Sequence, residues 1–293
     1  MTSAKEKSPK KRKKKLIIIS IILLITVFLY AWGFALKTEK YSIDTDKIDK
    51  GLTIAFISDL HNCFYGDTEQ SALIDAVAES HPDIVVFGGD MIDQYGGTDN
   101  ALQLASKLSK EYVCFYTPGN HELLRDDLEE FERELFGKGI HILDDDIYET
   151  TVNGQSVTFY GLIDPFQWGE SKPLTDEFIS NINEDSYNIL IAHQPEQINA
   201  YLGVDSSSQR EACSGTFDLI LSGHAHAGQW RIPGILDQGL YAPDQGIFPE
   251  YTNGMYTHGN SVHIISRGLA RPLRMIVIPR IFNRPELSII EIE

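Results

Sequence analysis

Five short polar clusters interrupt otherwise apolar runs: Asp59-Leu60-His61, Gly89-Asp90, Gly119-Asn120-His121-Glu122, Ala192-His193 and Gly223-His224-Ala225-His226. Carboxylate, neutral imidazole and amide oxygen are donors that borderline divalent cations accept, and no thiolate set competes with them. A single Asp-x-His or His-x-His pair usually decorates a loop; five clusters in one chain, each following an apolar run, carry the reading of a metal centre. Seven side chains, Asp59, His61, Asp90, Asn120, His193, His224 and His226, exceed what one ion with an open position takes. Two ions roughly 3.5–4 Å apart that share one carboxylate use that number.

The elements that must position these groups follow from periodicity. Leu52–Ile57, Ile84–Phe87, Val113–Tyr116, Ile189–Ala192 and Leu219–Leu221 read as short buried strands, and the clusters stand at or just beyond their C-terminal ends. Open α/β sheets place ligand sites there. Glu69–Glu79, Ala101–Leu108 and about Leu124–Phe136 read as helices, the last stopped by Gly137 and Gly139. Ile140–Leu143 reads as a further strand, and Asn153-Gly154 as a turn ahead of strand Val157–Leu162. Asp205–Ser214 reads as a polar loop. The first half thus reads as α/β with a largely parallel sheet, and the chain past residue 230, ending in strands Val262–Ile265 and Leu287–Ile292, as more antiparallel. The glycines before Asp90, Asn120 and His224 are expected to let the backbone turn tightly off each strand.

The ordered set of clusters resembles the calcineurin-like metallophosphoesterase superfamily, from about residue 51 to 230. Gly223 to Gln229, the tail Ile278 to Leu287 and the apolar N-terminus resemble one branch of it, the membrane-associated YkuE/YaeI-type bacterial phosphodiesterases. The resemblance implies an α/β fold, a β-sandwich flanked by helices in αββα layers. It implies that Asp59, His61 and His226 hold one metal, that Asn120, His193 and His224 hold the other, and that Asp90 bridges both. His121 is then the catalytic histidine that assists the leaving group after attack of a metal-activated hydroxide. Glu122 is expected to orient His121 or to cap the following turn. Mixed N/O ligation admits manganese, zinc or iron as the two divalent ions.

Charge is distributed unevenly along the chain. Of 25 basic and 42 acidic residues, eight basics and one acid fall in residues 1–15, and the remaining 17 against 41 leave −24 on residues 16–293. Such a body repels a phosphate backbone, so nucleic acid is not an expected partner; two divalent cations would supply +4 locally and admit an anionic phosphoester. Leu16–Leu36 carries no charge and, at about 1.5 Å per residue, is long enough for the roughly 30 Å hydrocarbon core. It reads as an uncleaved transmembrane anchor with Tyr30 and Trp32 at one interface. The expected organisation is a basic cytoplasmic tail (1–15), the anchor (16–36), a polar tether (37–50) and an extracytoplasmic catalytic domain (51–293) at the cell membrane.

Cys63, Cys114 and Cys213 are too few for a disulfide framework. Cys114 reads as a buried small hydrophobe, and Cys63 as a loop thiol with soft metal ligation as the alternative. His81, His141, His258 and His263 are assigned no chemistry. Arg267, Arg271 and Arg274 form a cluster that either packs structurally or clamps a phosphate or lipid headgroup. The expected activity is hydrolysis of phosphodiester or pyrophosphate bonds, with lipid-linked substrates among the candidates. A catalytically inactive metal-binding scaffold at the membrane or wall, and a mononuclear zinc hydrolase using His193, His224 and His226, are the competing readings.

Overall fold

A computed structural model describes residues 9–163, 178–203, 217–271 and 280–293, the side chains of 9–12 and 29–31 excepted. The apolar runs become strands because successive side chains serve two opposite faces. In β2 (Leu52–Ile57), Ile54 and Phe56 face one core while Ala55 and Ile57 face another; β3 (Ile84–Gly88) divides likewise into Ile84 and Val86 against Val85 and Phe87. β4 (Val113–Thr117) and β5 (Ile140–Ile142) continue this parallel set. β14 (Glu286–Ile292) lies antiparallel beside β2, and β1 (Lys37–Ile43) closes the edge parallel to β14.

A second six-stranded sheet runs in the order β12 (Gly254–His258), β13 (Ser261–Ile265), β9 (Leu219–Ser222), β8 (Tyr187–Ala192), β7 (Gln155–Leu162), β6 (Asp146–Val152), and β10 (Tyr241–Ala242) pairs with β11 (Gly246–Ile247) apart from it. The sheets face each other across a dry core in which Phe115 stacks on Phe159 with ring centroids 4.3 Å apart. Burying each large apolar side chain there contributes ~1.5–3 kcal/mol. The far face of the first sheet is covered by α2 (Ser71–Glu79), α3 (Asp99–Leu108) and α5 (Leu128–Gly137). The far face of the second carries Tyr160, Leu190 and Ile220 under Phe178, Phe217 and the short helix Ile198–Tyr201. The layers are therefore helix, sheet, sheet, helix among the described residues.

Several expectations are corrected. Residues 37–43 are an edge strand rather than tether, registered from Lys37 opposite Glu286 to Ile43 opposite Ile292. Its exposed positions Thr38, Lys40 and Ser42 alternate with half-covered ones, and polar residues on both faces hid that period. Past residue 230 the expectation holds in the main: β12 runs antiparallel to β13 and β14 to β2, while β13 lies parallel to β9 and β14 to β1. The third helix begins at Leu128, and Asn120–Leu123 forms a separate turn, α4. The Asn153-Gly154 turn does join β6 to β7, with φ of 53° and 80° at its two residues. Residues 205–214, Cys213, Arg274 and Ile278-Pro279 lie outside the described residues.

The N-terminal helix α1 spans Pro9–Trp32, and its apolar side chains from Leu16 to Phe28 are exposed. Among the described residues no helix is long and apolar enough to cross a membrane.

Two histidines without assigned chemistry serve packing. His141 stacks on Phe115 at 5.2 Å and lies tilted against Tyr148 at 4.4 Å. His263 is fully buried, its Nε2 3.0 Å from Ser222 Oγ, and burial, then His258, holds it down at about 3. The unfolded chain takes up a proton there below pH ~6.5 that the folded chain refuses until about 3, so stability falls as pH drops through that window. At pH 5 the loss is roughly 2 kcal/mol relative to pH 7.5. Urea unfolding of wild type and His263→Gln at both pH values is expected to show that increment vanish in the variant.

Candidate metal centre

Because β2, β3 and β4 run parallel in one sheet and β8 and β9 in the other, their C-terminal ends meet at one rim of the sandwich. Asp59, Asp90, Asn120, His193 and His224 each follow one of these ends within three residues. The backbone leaves the strands abruptly. Asp59, His61, Asp90, His224 and His226 all adopt left-handed φ, between 47° and 66°. Such residues cost of order 1–3 kcal/mol each and persist where surrounding contacts over-determine them.

Those contacts are explicit. Asp59 Oδ1 accepts the His224 N–H at 2.9 Å, and Asp90 Oδ1 accepts the His121 N–H at 2.9 Å. Two of the glycines act by close approach rather than by turning: a Cβ on Gly119 would lie 2.4 Å from Asp90 Oδ1, and one on Gly223 2.4 Å from Asp59 Oδ2. Only Gly89 of the three has a positive φ, at 86°.

All seven expected ligands and His121 converge here. Asp59, His61 and His226 bring ligand atoms within 4.8 Å of one another, and so do Asp90, His193 and His224. Asn120 joins the second group through its Oδ1, 2.8 Å from His224 Nδ1. Asp90 Oδ2 lies between the groups, 3.2 Å from His193 Nε2, 3.8 Å from His61 Nε2 and 3.9 Å from His121 Nε2. Burial opposes charge on Asp90, yet His193, His121 and His61 hold its carboxyl well below the usual range. Burial likewise opposes charge on His193, but Asp90 and Asp59 raise it to about 10. Without a cation, a proton on His193 thus carries the positive charge that these carboxylates demand.

The donors fit divalent metal binding. His61 Nε2 is buried without a hydrogen bond, while its Nδ1 is fixed 2.6 Å from Asp93 Oδ1. His193 Nδ1 donates to the Gly88 carbonyl at 2.8 Å, which turns Nε2 inward. His121 differs: its Nδ1 accepts the Gln94 N–H at 3.3 Å, leaving the proton on Nε2, the nitrogen that faces Asp90. Burial, then His61, lowers its pKa despite Asp90.

Several partners escaped the sequence reading. Asp93 holds His61, and Asp244 Oδ2 lies 3.0 Å from His224 Nε2, with the half-buried Glu196 in the same group. Such outer carboxylates orient a ligating imidazole. Asp244→Asn is expected to weaken metal binding at the Asn120, His193 and His224 group by about 10–100-fold, read by competitive chelator titration. Asn283 Nδ2 donates to the His226 carbonyl at 2.7 Å, and Arg280, 2% exposed, donates to the carbonyls of Arg267 and Gly268. These residues sit far along the chain, with no spacing to mark them.

Other expectations resolve toward packing. Glu122 is buried and is a member of neither group; Oε2 accepts from the N–H of Asp90 and Gly119 at 2.8 and 2.9 Å, and Oε1 from that of Ile92 at 3.0 Å. It caps the turn it stands in and ties it to the Asp90 loop. Cys63 Sγ accepts the Arg271 N–H at 3.4 Å and, among the described residues, belongs to no ligand group. Arg267 pairs with the buried Glu286 at 2.9 Å, while the Arg271 guanidinium covers the rings of Tyr65 and Phe64 at 4.5 and 4.9 Å. Burial pushes the Cys114 thiol up to about 12.

A family model described as calcineurin-like phosphoesterase matches residues 52–228. The chain is similar to an uncharacterized metallophosphoesterase of Helicobacter pylori, 30% identical over 251 residues that cover 82% of this chain and 61% of the relative. It is also similar to the uncharacterized metallophosphoesterase YkuE of Bacillus subtilis, 25% identical with 84% of each chain covered. An uncharacterized metallophosphoesterase of Aquifex aeolicus is 27% identical, covering 87% of this chain and 94% of the relative. The chain therefore spans about three fifths of the Helicobacter relative's length and nearly all of the Aquifex one.

Proposed function

The chain belongs to the calcineurin-like phosphoesterase family of metal-dependent phosphoester hydrolases, and on that premise we propose that it cleaves phosphodiester or pyrophosphate bonds at a centre of two divalent cations. Asp59, His61 and His226 would hold one cation and Asn120, His193 and His224 the other, with Asp90 shared between the two groups. The observation that carries this reading is the placement of one carboxylate oxygen, Asp90 Oδ2, within 4 Å of ring nitrogens from His61, His121 and His193. When bound, the cations supply positive charge for the phosphoryl oxygens and an activated water.

The chain's own residues do the rest. Asp59 and Asp90 set the negative field that draws the cations in, and Asp93 and Gly88 fix the rings of His61 and His193. His121, its Nδ1 engaged by the Gln94 N–H, presents Nε2–H as a hydrogen-bond donor to the departing oxygen and stabilises the charge that develops there as the bond to phosphorus breaks. Full-length protein loaded in turn with manganese, zinc and iron is expected to hydrolyse a chromogenic phosphodiester. His121→Ala should keep its metal and lose about 10²-fold or more in turnover. Two bound metals with no hydrolysis of a diester, a monoester or a pyrophosphate would favour the inactive scaffold instead.

The same proposal places the catalytic domain outside the cytoplasm beside a membrane and includes lipid-linked phosphoesters among its substrates. Supporting this are the basic residues before Leu16, the exposed apolar side chains of α1, and Arg284, which bonds the Ala35 and Leu36 carbonyls and lies over Trp32 at 5.4 Å. Trp230, laddered to Ile281, and Ile232, Ile235 and Phe248 expose further apolar surface on the loops that follow His226.

A further inference from the structure

Of the four histidines among the expected ligands, three meet an acceptor at the ring nitrogen outside the cluster. His61 Nδ1 lies 2.6 Å from Asp93 Oδ1, His193 Nδ1 2.8 Å from the Gly88 carbonyl, and His224 Nε2 3.0 Å from Asp244 Oδ2. His226 is the exception. Its Nδ1 lies 3.5 Å from Arg280 Nη2, and a guanidinium has donors only. An outer carboxylate raises the basicity of a ligating imidazole; an outer cation lowers it and repels a second cation held by the same ring.

Several contacts build Arg280 into this place. Nη2 donates to the carbonyls of Arg267 and Gly268 at 2.7 and 3.1 Å, and Nη1 to Asn283 Oδ1 at 3.3 Å. The segment so held lies directly on Asp59: the Leu269 N–H reaches the Asp59 carbonyl at 3.1 Å, and a Cβ on Gly268, whose φ is 68°, would stand 2.6 Å from Asp59 Cβ. These acceptors are all neutral, and the nearby Glu286 is paired with Arg267 at 2.9 Å. Burial lowers Arg280 to about 10 against the pull of Tyr65 and then Asp59, so the guanidinium stays charged at neutral pH. Asp59 is fully buried as well, with Oδ1 accepting the His224 N–H and Oδ2 making no hydrogen bond. A buried carboxylate and a buried guanidinium thus stand at opposite nitrogens of one imidazole, Asp59 Oδ1 3.8 Å from Nε2 and Arg280 Nη2 3.5 Å from Nδ1.

We propose that Arg280 is a built-in counter-charge for Asp59 that competes with metal at the Asp59, His61 and His226 group, so that this group binds a cation more weakly than its own donors would. The inference rests on the proposed pair of cations. It gives Arg280 two effects of opposite sign: its charge stabilises the metal-free fold, in which Asp59 is buried, and weakens cation binding at one group alone. Removing an arginine that serves packing only would harm both. The other group has no such opponent among the described residues, since the side chains beyond His224 are the carboxylates of Asp244 and Glu196.

The test titrates the full chain with manganese by calorimetry and compares Arg280→Lys, which keeps the charge and loses the planar fork, with Arg280→Gln, which loses both. One of the two binding steps is expected to be about tenfold tighter, or more, in Arg280→Gln than in Arg280→Lys, and it should be the step that Asp244→Asn leaves unmoved. Equal or weaker binding in Arg280→Gln overturns the proposal. Urea unfolding in the presence of a chelator is the second measurement, made on wild type, Arg280→Gln, Asp59→Asn and the double variant; asparagine keeps an oxygen for the His224 N–H and removes the charge. The double variant is expected to be more stable than the summed single losses allow, and additive losses overturn the proposal. Should Arg280→Gln fail to fold, recovery of folding in the double variant sustains the pairing with Asp59, and failure there as well overturns it. Fewer than two cations bound by wild type contradicts the two-cation reading instead, and the chelator measurement then decides whether Arg280 balances Asp59.

Discussion

Asp90→Asn is expected to lower phosphoester turnover by about 10³-fold and to leave the protein unable to keep two equivalents of metal. Asparagine preserves the Oδ1 acceptor that receives the His121 N–H at 2.9 Å, so the loop is expected to hold its shape. It removes the charge at Oδ2, the atom between the two histidine groups. Losing several kcal/mol of charge stabilisation at the reacting phosphoryl group corresponds to that thousandfold effect. Metal analysis of the dialysed variant alongside its kcat/KM checks both halves; a variant that retains two metals and full activity contradicts the shared role of Asp90.

Glu122→Ala is expected to be the most damaging single change to stability near the site, by about 3–5 kcal/mol in urea unfolding. Its carboxylate is the acceptor for three buried N–H groups, those of Asp90, Ile92 and Gly119, and alanine leaves all three without a partner. An opposing term exists, since burial and the nearby Asp90 push Glu122 up to about 7, and removing it relieves that repulsion. Three unsatisfied donors at about 1–3 kcal/mol each outweigh it. Glu122→Gln, keeping one acceptor oxygen, should fall between wild type and alanine. A loss under about 1 kcal/mol for the alanine variant would show that water replaces the carboxylate in full.

The contrast between these two neighbours explains what was legible in the sequence. Asp90 and the other expected ligands stand in short clusters directly after apolar strands, so strand periodicity alone put them at one rim. Glu122 also stands in a cluster, but its role depends on which N–H groups fold over it, and spacing carries no record of that. Asp93, Glu196 and Asp244 were missed for the same reason: each meets a histidine contributed by a distant segment. The strand Lys37–Ile43 was hidden because an edge strand needs only one partner, and β14 accepts a polar chain as readily as an apolar one. The glycines were visible as residues, yet two of the three act through close approach of Asp59 and Asp90.

The acidic balance of the chain takes its place in the same account. A site in which Asp59, Asp90, Asp93 and Asp244 outnumber the single Arg280 guanidinium beside His226 repels a phosphoester until cations fill it, and a proton on His193 then has to leave. Metal loading and substrate binding are coupled by that arithmetic.

The most direct test is electron paramagnetic resonance of the full chain titrated with manganese. Two equivalents bound, with an exchange-coupled signal that replaces the isolated-ion spectrum as the second equivalent enters and is absent in Asp90→Asn, is the predicted result. Saturation at one equivalent, or two equivalents that give only isolated-ion spectra, would contradict a pair of cations joined through Asp90.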